Sequence, residues 1–388
     1  MRAIVFAALM PAAALAQGVP QGEPNADFTP AFENQTRAPA LPATPVSVTL
    51  FAEGLDTPWG IAPLPGGHWL VTERPGTMRI VTPEGGLSAP IAGLPEVNNQ
   101  RQGGLLDVTV SPEFATDRMI YWTYAKPVRG GAVTAAARGR LSEDWTEVTG
   151  VEDIFVQDPP SRTFMHYGSR IVIDGPYAWI TTGEHSSEAT RVLAQDLTTT
   201  YGKVIRVFRD GTVPPDNPFV GREGVDTIWS YGHRNMQGAA LGPGGLWTIE
   251  HGPAGGDELN RPQAGLNYGW PVVSYGINYN GSEVGQGIAR AEGFEEPVYY
   301  WDPVIAPGGM LFYDGDFAGW QGDLLIGSLN PGALVRLTME DGRVTGEERV
   351  VTDQGRVRDV EQAPDGTVLL LIDAPAPFGS IVRVTPEG

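Results

Sequence analysis

The sequence predicts an all-β protein, a six-bladed β-propeller. One pattern occurs six times along the chain: an apolar pair, a turn built from Pro, Asp or Gly, then an apolar or aromatic strand. The copies start roughly 50 to 70 residues apart, the period of solenoids and propellers. Helical periodicity is scarce, and its best stretch, near 186–197, is short. Gly (51) and Pro (34) are abundant enough to supply the turns that many short strands need. A β-sandwich with accidental internal similarity is the competing architecture.

The chain opens with MRAIVFAALMPAAALAQG. One Arg precedes an apolar run too short to span a bilayer comfortably, and Ala14-Leu15-Ala16 offers an A-x-A cleavage site before Gln17. Residues 1–16 therefore read as a signal peptide, and the mature chain as periplasmic or secreted, with no membrane insertion. Residues 17–45 are rich in Pro, Ala and Asn without periodicity and read as a loose N-terminal arm. Residues 46–388 form the propeller. Its units begin GIAPLPGG at Gly60, DVTVSPEF at Asp107, RIVIDGPY at Arg170, GAALGPGG at Gly238, GMLFYDGD at Gly309 and DVEQAPDG at Asp359. Each is a hairpin with its own turn signal. About four strands per unit make a blade. The strand near Val46 (VSVTLFAEG) completes the last blade beside SIVRVTP near Ser380, which closes the ring without open edges.

Hydrophobic residues make up 41% of 388, enough for a sizeable core and too many for general disorder. A net charge of -20 argues against nucleic acid and against an anionic membrane surface as partners. With no cysteine, disulfides, thiolate catalysis and Cys-ligated metals are excluded.

The chemistry concentrates in Tyr231–Trp270, YGHRNMQGAALGPGGLWTIEHGPAGGDELNRPQAGLNYGW. His233-Arg234-Asn235 offers donors for an anionic, oxygen-rich ligand. Glu250-His251-Gly252-Pro253, followed by Asp257-Glu258, sets backbone carbonyls beside carboxylates, the hard oxygens Ca²⁺ prefers. Together they suggest an anion held beside a hard cation. In a propeller, loops on one face surround the central channel. Gln102, His166, Arg234-Asn235, Gly252-Pro253 and Arg356/Arg358 all fall just before or after a repeat unit. Arg356 and Arg358 alternate, so on a strand both face one side. On its own, a histidine ahead of a strand reads as a packed or surface residue. The tryptophans at 59, 122, 179, 247 and 270 read as blade core, and Trp301 as a candidate for lining the substrate cleft.

Seven stretches in this order, QGGLLDV (Gln102–Val108), HYGSR (His166–Arg170), YGHRNMQG (Tyr231–Gly238), EHGPAGGDELN (Glu250–Asn260), NYGWP (Asn267–Pro271), GINY (Gly276–Tyr279) and GRVRDV (Gly355–Val360), resemble the soluble PQQ-dependent sugar dehydrogenases, closest to the aldose sugar dehydrogenase branch of the glucose/sorbosone dehydrogenase family. The resemblance runs from about Val46 to Thr385. It implies PQQ and Ca²⁺ as cofactors, an aldose sugar as substrate, an aldonolactone as product, and an electron acceptor that the residues do not identify. PQQ is a tricarboxylated ortho-quinone, and the resemblance places Arg234, Arg356 and Arg358 on its carboxylate and quinone oxygens, with Gln102, Asn235 and Tyr279 also in contact. It makes Gly252 and Pro253 carbonyl donors to a Ca²⁺ shared with PQQ, and Glu258 and Tyr268 ligands of a structural Ca²⁺. His166 becomes the general base on the anomeric hydroxyl, and Arg234 a stabiliser of charge on the quinone oxygen.

Two positions depart from the family pattern. Asn330, in GSLNPG, stands where members usually carry a PQQ-contacting Lys, keeping hydrogen bonding without the charge. Met165 precedes the proposed base where glucose-oxidising members have Asp. Two other readings stand beside the dehydrogenase: a Ca²⁺-dependent propeller hydrolase of the lactonase kind, and a non-catalytic binding propeller.

Overall fold

The computed structural model describes residues 21–317 and 319–387, so the signal-peptide assignment lies outside the described residues. Each of the six repeat units is the inner hairpin of one blade. The innermost strands are Pro58–Leu64, Leu105–Val110, Gly168–Asp174, Met236–Gly242, Pro307–Phe312 and Val357–Gln362. Six separate sheets result, each antiparallel, arranged as a β-propeller. The ends close as the terminal strands predict. Val46–Leu55 pairs with Gly379–Pro386, with Val46 opposite Pro386 and Leu55 opposite Gly379, and becomes the outer strand of the sixth blade.

The first blade departs from four strands. It has three, Pro58–Leu64, His68–Glu73 and Thr77–Val81. The segment after them carries Pro83, Pro90 and Pro95, each lacking the N–H that a ladder needs, and it runs on without a further strand. Residues 21–45 are irregular, as their composition requires, but they are not loose. The Asp302 carboxylate accepts from Asn25 N (2.9 Å), Asn25 Nδ2 (2.6 Å) and Ala26 N (3.0 Å). Gln35 is fully buried, and its carbonyl accepts from Tyr300 N at 2.8 Å. Leu41 N donates to the Glu347 carbonyl at 2.9 Å. Backbone and side-chain polar contacts invisible to a hydrophobic pattern thus strap the arm across the fourth and fifth blades.

Apolar side chains fill the space between blades, with Trp122, Trp247 and Trp301 almost fully buried. Trp301 is therefore core and not a cleft residue; its indole N–H donates to Glu347. The axis itself is stitched by charge. Arg170, on the third inner strand, donates through Nη1 to Asp107 (2.7 Å) and Asp359 (3.0 Å), and through Nε to the Gln237 carbonyl (2.8 Å). Four blades meet at that guanidinium. Gly309 makes room for it, since a Cβ there would lie 1.7 Å from Asp359 Oδ1. Burial pushes the Asp107 carboxyl up to about 7, against the pull of Arg170.

Candidate active site

Above this charged plug, at the end of the ring where the chain enters each inner strand and leaves the next, lies a cavity of about 160 Å³. Gln102, His166, Arg234, Asn235, Tyr279, Arg356 and Arg358 all line it. They come from the segments that enter the inner strands of the second, third, fourth and sixth blades, with Tyr279 added from the loop before the outer strand of the fourth. A second cavity of about 330 Å³ adjoins and shares Arg234 and Tyr279. A larger open groove of about 670 Å³ lies on the outside of the second and third blades. Its arginines include Arg138 and Arg209, already paired with Glu152 and Glu113, and no comparable set of groups converges there.

His166 is buried, with its backbone in the left-handed region at φ 48°. That conformation costs a non-glycine residue energy and persists only where its surroundings fix it. They do: Gln102 Oε1 accepts from His166 N at 2.8 Å, and Asn235 Oδ1 from Gly168 N at 3.0 Å. Gly183 has no room for a Cβ, which would lie 1.9 Å from the His166 carbonyl oxygen. The imidazole Nδ1 meets Glu184 Oε1 at 3.1 Å. Burial, and then the charge of Arg234, push the His166 pKa below its ordinary value, while Glu184 opposes them. Burial would raise the Glu184 carboxyl, but its hydrogen bond and charge interaction with His166, together with Arg234 and the Ser186 N–H, hold it below the ordinary value. With Nδ1 as donor to an ionised Glu184, Nε2 carries the free lone pair.

Arg234 is fixed at both ends. Its backbone N–H donates to Glu250 Oε2 (2.5 Å), its Nη1 to the His251 carbonyl (2.8 Å), and its guanidinium lies 5.1 Å from the centre of the Trp270 ring. Arg358 donates to Gln237 Oε1 (2.7 Å) and Asp373 Oδ2 (2.8 Å). Arg356 reaches Asp373 only at 3.4 Å and is half exposed. Among the described residues, the Nε atoms of Arg234 and Arg358, and Nε2 of His251, are buried without a partner. Arg74 also lines the cavity, so four guanidinium groups face one carboxylate, Asp373, in a chain of net charge -20.

A family model for glucose/sorbosone dehydrogenases matches residues 55–383. The chain belongs to the glucose/sorbosone dehydrogenase family. It is 43% identical over 359 residues to aldose sugar dehydrogenase YliI of Escherichia coli, covering 90% of this chain and 95% of the relative. Among solved structures it is similar to the apo form of the soluble aldose sugar dehydrogenase from Escherichia coli, at a TM-score of 0.84 and 42% identity, over 88% of this chain and all of the other. It is also similar to the PQQ-bound aldose sugar dehydrogenase of Streptomyces coelicolor, at a TM-score of 0.73 and 28% identity, over 89% of this chain and all of the other.

In this glucose/sorbosone dehydrogenase the metal-directed residues fall beside the cavity. Pro253 lines the 330 Å³ space, while Gly252, Glu258 and Tyr268 share a small neighbouring one. Asp257 shapes the Gly252 turn, its carboxylate accepting from Gly252 N (2.7 Å), Ile305 N (2.8 Å) and Ala306 N (2.7 Å). Glu258 stands directly across the ladder from Glu250. Burial, then the Glu250 charge, hold its carboxyl well above the ordinary value, the state a bound cation would relieve. The Tyr268 hydroxyl is committed to the Arg261 carbonyl at 2.7 Å, which leaves its backbone as the part open to a metal.

Asn330 does not join the site. Its neighbour Leu329 lines the cavity, whereas Asn330 is exposed at the start of the next turn. Glu184, Arg74 and Asp373 do join it and are absent from the motifs singled out above. A signal for them exists in the repeats: aligned by hairpin, the second strand ends on an acid or just before one in four blades. Glu73 takes Arg79, Glu184 takes His166, Glu250 takes His233, and Asp373 takes Arg358.

Proposed function

We propose that this protein is a PQQ- and Ca²⁺-dependent aldose dehydrogenase that oxidises the anomeric carbon of the sugar to an aldonolactone. One observation carries the reading: a convergent cavity whose cations outnumber its carboxylates, with buried donors on Arg234 and Arg358 unpartnered among the described residues. A tricarboxylate fits such a donor set, because unpaired buried donors and unbalanced buried charge are each costly. Arg234, Arg356, Arg358, Gln102, Asn235 and Tyr279 would hold it, and the Gly252 and Pro253 carbonyls its Ca²⁺. When bound, PQQ with its Ca²⁺ supplies the acceptor for the hydride leaving C1.

This chain's residues supply the rest. His166, neutral at working pH, takes the proton of the anomeric hydroxyl on Nε2. Glu184 keeps Nδ1 protonated, orients the ring and offsets the charge the imidazole gains. Arg234, held at backbone and guanidinium, presents a fixed positive charge where negative charge accumulates on the acceptor. The adjoining cavity, with Ser186, Glu188, Arg191 and Asn278, offers donors and acceptors to the remaining sugar hydroxyls. The leader read at residues 1–16 would deliver the enzyme to the periplasm or beyond.

A hydrolase of the lactonase kind needs a Ca²⁺ caged by several side-chain carboxylates at the channel. Among the described residues no such cluster of three or more His, Asp or Glu is present, and the channel acids are taken by Arg170. The test is reconstitution of purified protein with PQQ and Ca²⁺. Aldose-dependent dye reduction requiring both additions supports the reading. Lactone hydrolysis without PQQ, or PQQ uptake without any dye reduction, contradicts it.

A further inference from the structure

Arg74 has no part in the mechanism above, yet it forms a wall of the same cavity. It follows the strand His68–Glu73 of the first blade. Its backbone is pinned by N–H donation to the Thr57 carbonyl (3.1 Å) and by its own carbonyl accepting from Leu105 N (3.2 Å). Gly104 packs against it so closely that a Cβ there would lie 2.3 Å from the Arg74 carbonyl oxygen. The guanidinium Nε donates to the Gly103 carbonyl at 3.1 Å and Nη2 to that of Arg101, bracketing Gln102 from both sides. Among the described residues Nη1 has no hydrogen-bond partner.

The charge around it is unbalanced. Asp373 is engaged by Arg358 at 2.8 Å, and Arg356 reaches it only at 3.4 Å. Arg74 and Arg356 are therefore surplus cations on one side of the cavity. Burial lowers the Arg74 pKa, the charge of Asp373 opposes that shift, and the like charge of Arg356 adds to it. A fixed, part-buried guanidinium beside a half-exposed one suits a planar anion that accepts two hydrogen bonds.

We propose that Arg74 is a ligand-binding residue, forming with Arg356 a corner that holds one carboxylate of the anionic cofactor. This rests on the PQQ reading above. It also gives Arg74 two separable effects, a direct charge on the ligand and the placement of Gln102.

The experiment is titration of the metal-loaded chain with PQQ, followed by quenching of tryptophan fluorescence at low and high salt. Arg74→Gln should bind roughly 10- to 100-fold more weakly at low salt, the loss expected of one charge-assisted hydrogen bond, and the deficit should shrink as salt screens the missing charge. Gln102→Ala should weaken binding equally at both salt concentrations. Arg74→Lys, which keeps the charge and loses the fork, should bind several-fold more weakly than wild type with the wild-type salt dependence. Wild-type affinity and salt dependence in Arg74→Gln overturn the proposal, as does a salt-independent loss like that of Gln102→Ala. Should Arg74→Gln fail to fold, unchanged affinity in Arg74→Lys overturns it instead. If the wild-type chain takes up no PQQ, the cofactor reading itself falls; if it does and the variants match it, only the assignment of Arg74 falls.

Discussion

His166 Nδ1 lies 3.1 Å from Glu184 Oε1, with both side chains buried in the loops that frame the third blade. The pair sets both the tautomer and the basicity of the imidazole. Burial lowers the His166 pKa below 6.5 and Glu184 raises it in part. The base form is therefore populated above a pKa that lies under 6.5. kcat/KM should be flat through neutral pH and fall only on the acid side. Glu184→Gln removes the raising influence, so the acid limb should move to lower pH while kcat drops on the order of 10²-fold. A limb that moves to higher pH, or an unchanged kcat, shows that Glu184 does not act on His166. The pH profile of both proteins, loaded with cofactor, decides it.

Glu258 faces Glu250 across the ladder in a buried setting. Its folded pKa is raised above the ordinary 4.5, so the folded state holds that proton more tightly than the unfolded chain. Its ionisation therefore costs stability progressively as pH rises above about 4.5. In chelator at pH 8, Glu258→Gln should melt no lower than wild type. With Ca²⁺ at about 100 times its Kd, wild type should gain about 2.7 kcal/mol from this site and the variant much less. Equal Ca²⁺ stabilisation of both in thermal scans removes Glu258 from the metal site.

Arg170 balances Asp107 and Asp359 where four blades meet. Arg170→Met leaves two buried carboxylates without their cation, a change that costs about 3–5 kcal/mol. Denaturant unfolding should show that loss. A variant within about 1 kcal/mol of wild type would mean that the axis is not held by this network.

Asn330 is exposed and does not line the cavity, whereas its neighbour Leu329 does. Asn330→Ala should leave PQQ affinity within about twofold of wild type, the range of a surface substitution. A tenfold loss in the same titration would place its side chain on the ligand.

The architecture was legible because a propeller repeats itself. Each hairpin carries its own turn chemistry, and the paired apolar strands near Val46 and Ser380 announce the closure. The missing strand of the first blade was harder to read, since a pattern of apolar residues does not register that three prolines have removed the donors. The arm escaped for a related reason: polar contacts such as Asn25 with Asp302 hold it, and those are set by geometry rather than by periodicity. In the site, residues inside compact motifs, such as Arg234 and Asn235, could be found one by one. Arg74 could not, because nothing near it in sequence marks it, and Glu184 is marked only once the repeats are aligned by hairpin. Glu184 acts on a partner 18 residues away across the hairpin of the third blade, and Arg74 on carbonyls 27 and 29 residues away in the loop that enters the second.

The most direct test of the account separates binding from turnover in His166→Ala. PQQ titration with Ca²⁺ in excess and aldose-dependent dye reduction are measured on the same preparation of variant and wild type. The account predicts unchanged PQQ affinity with kcat lowered roughly 10²- to 10⁴-fold, the worth of a general base. Near-normal turnover with PQQ bound would contradict it.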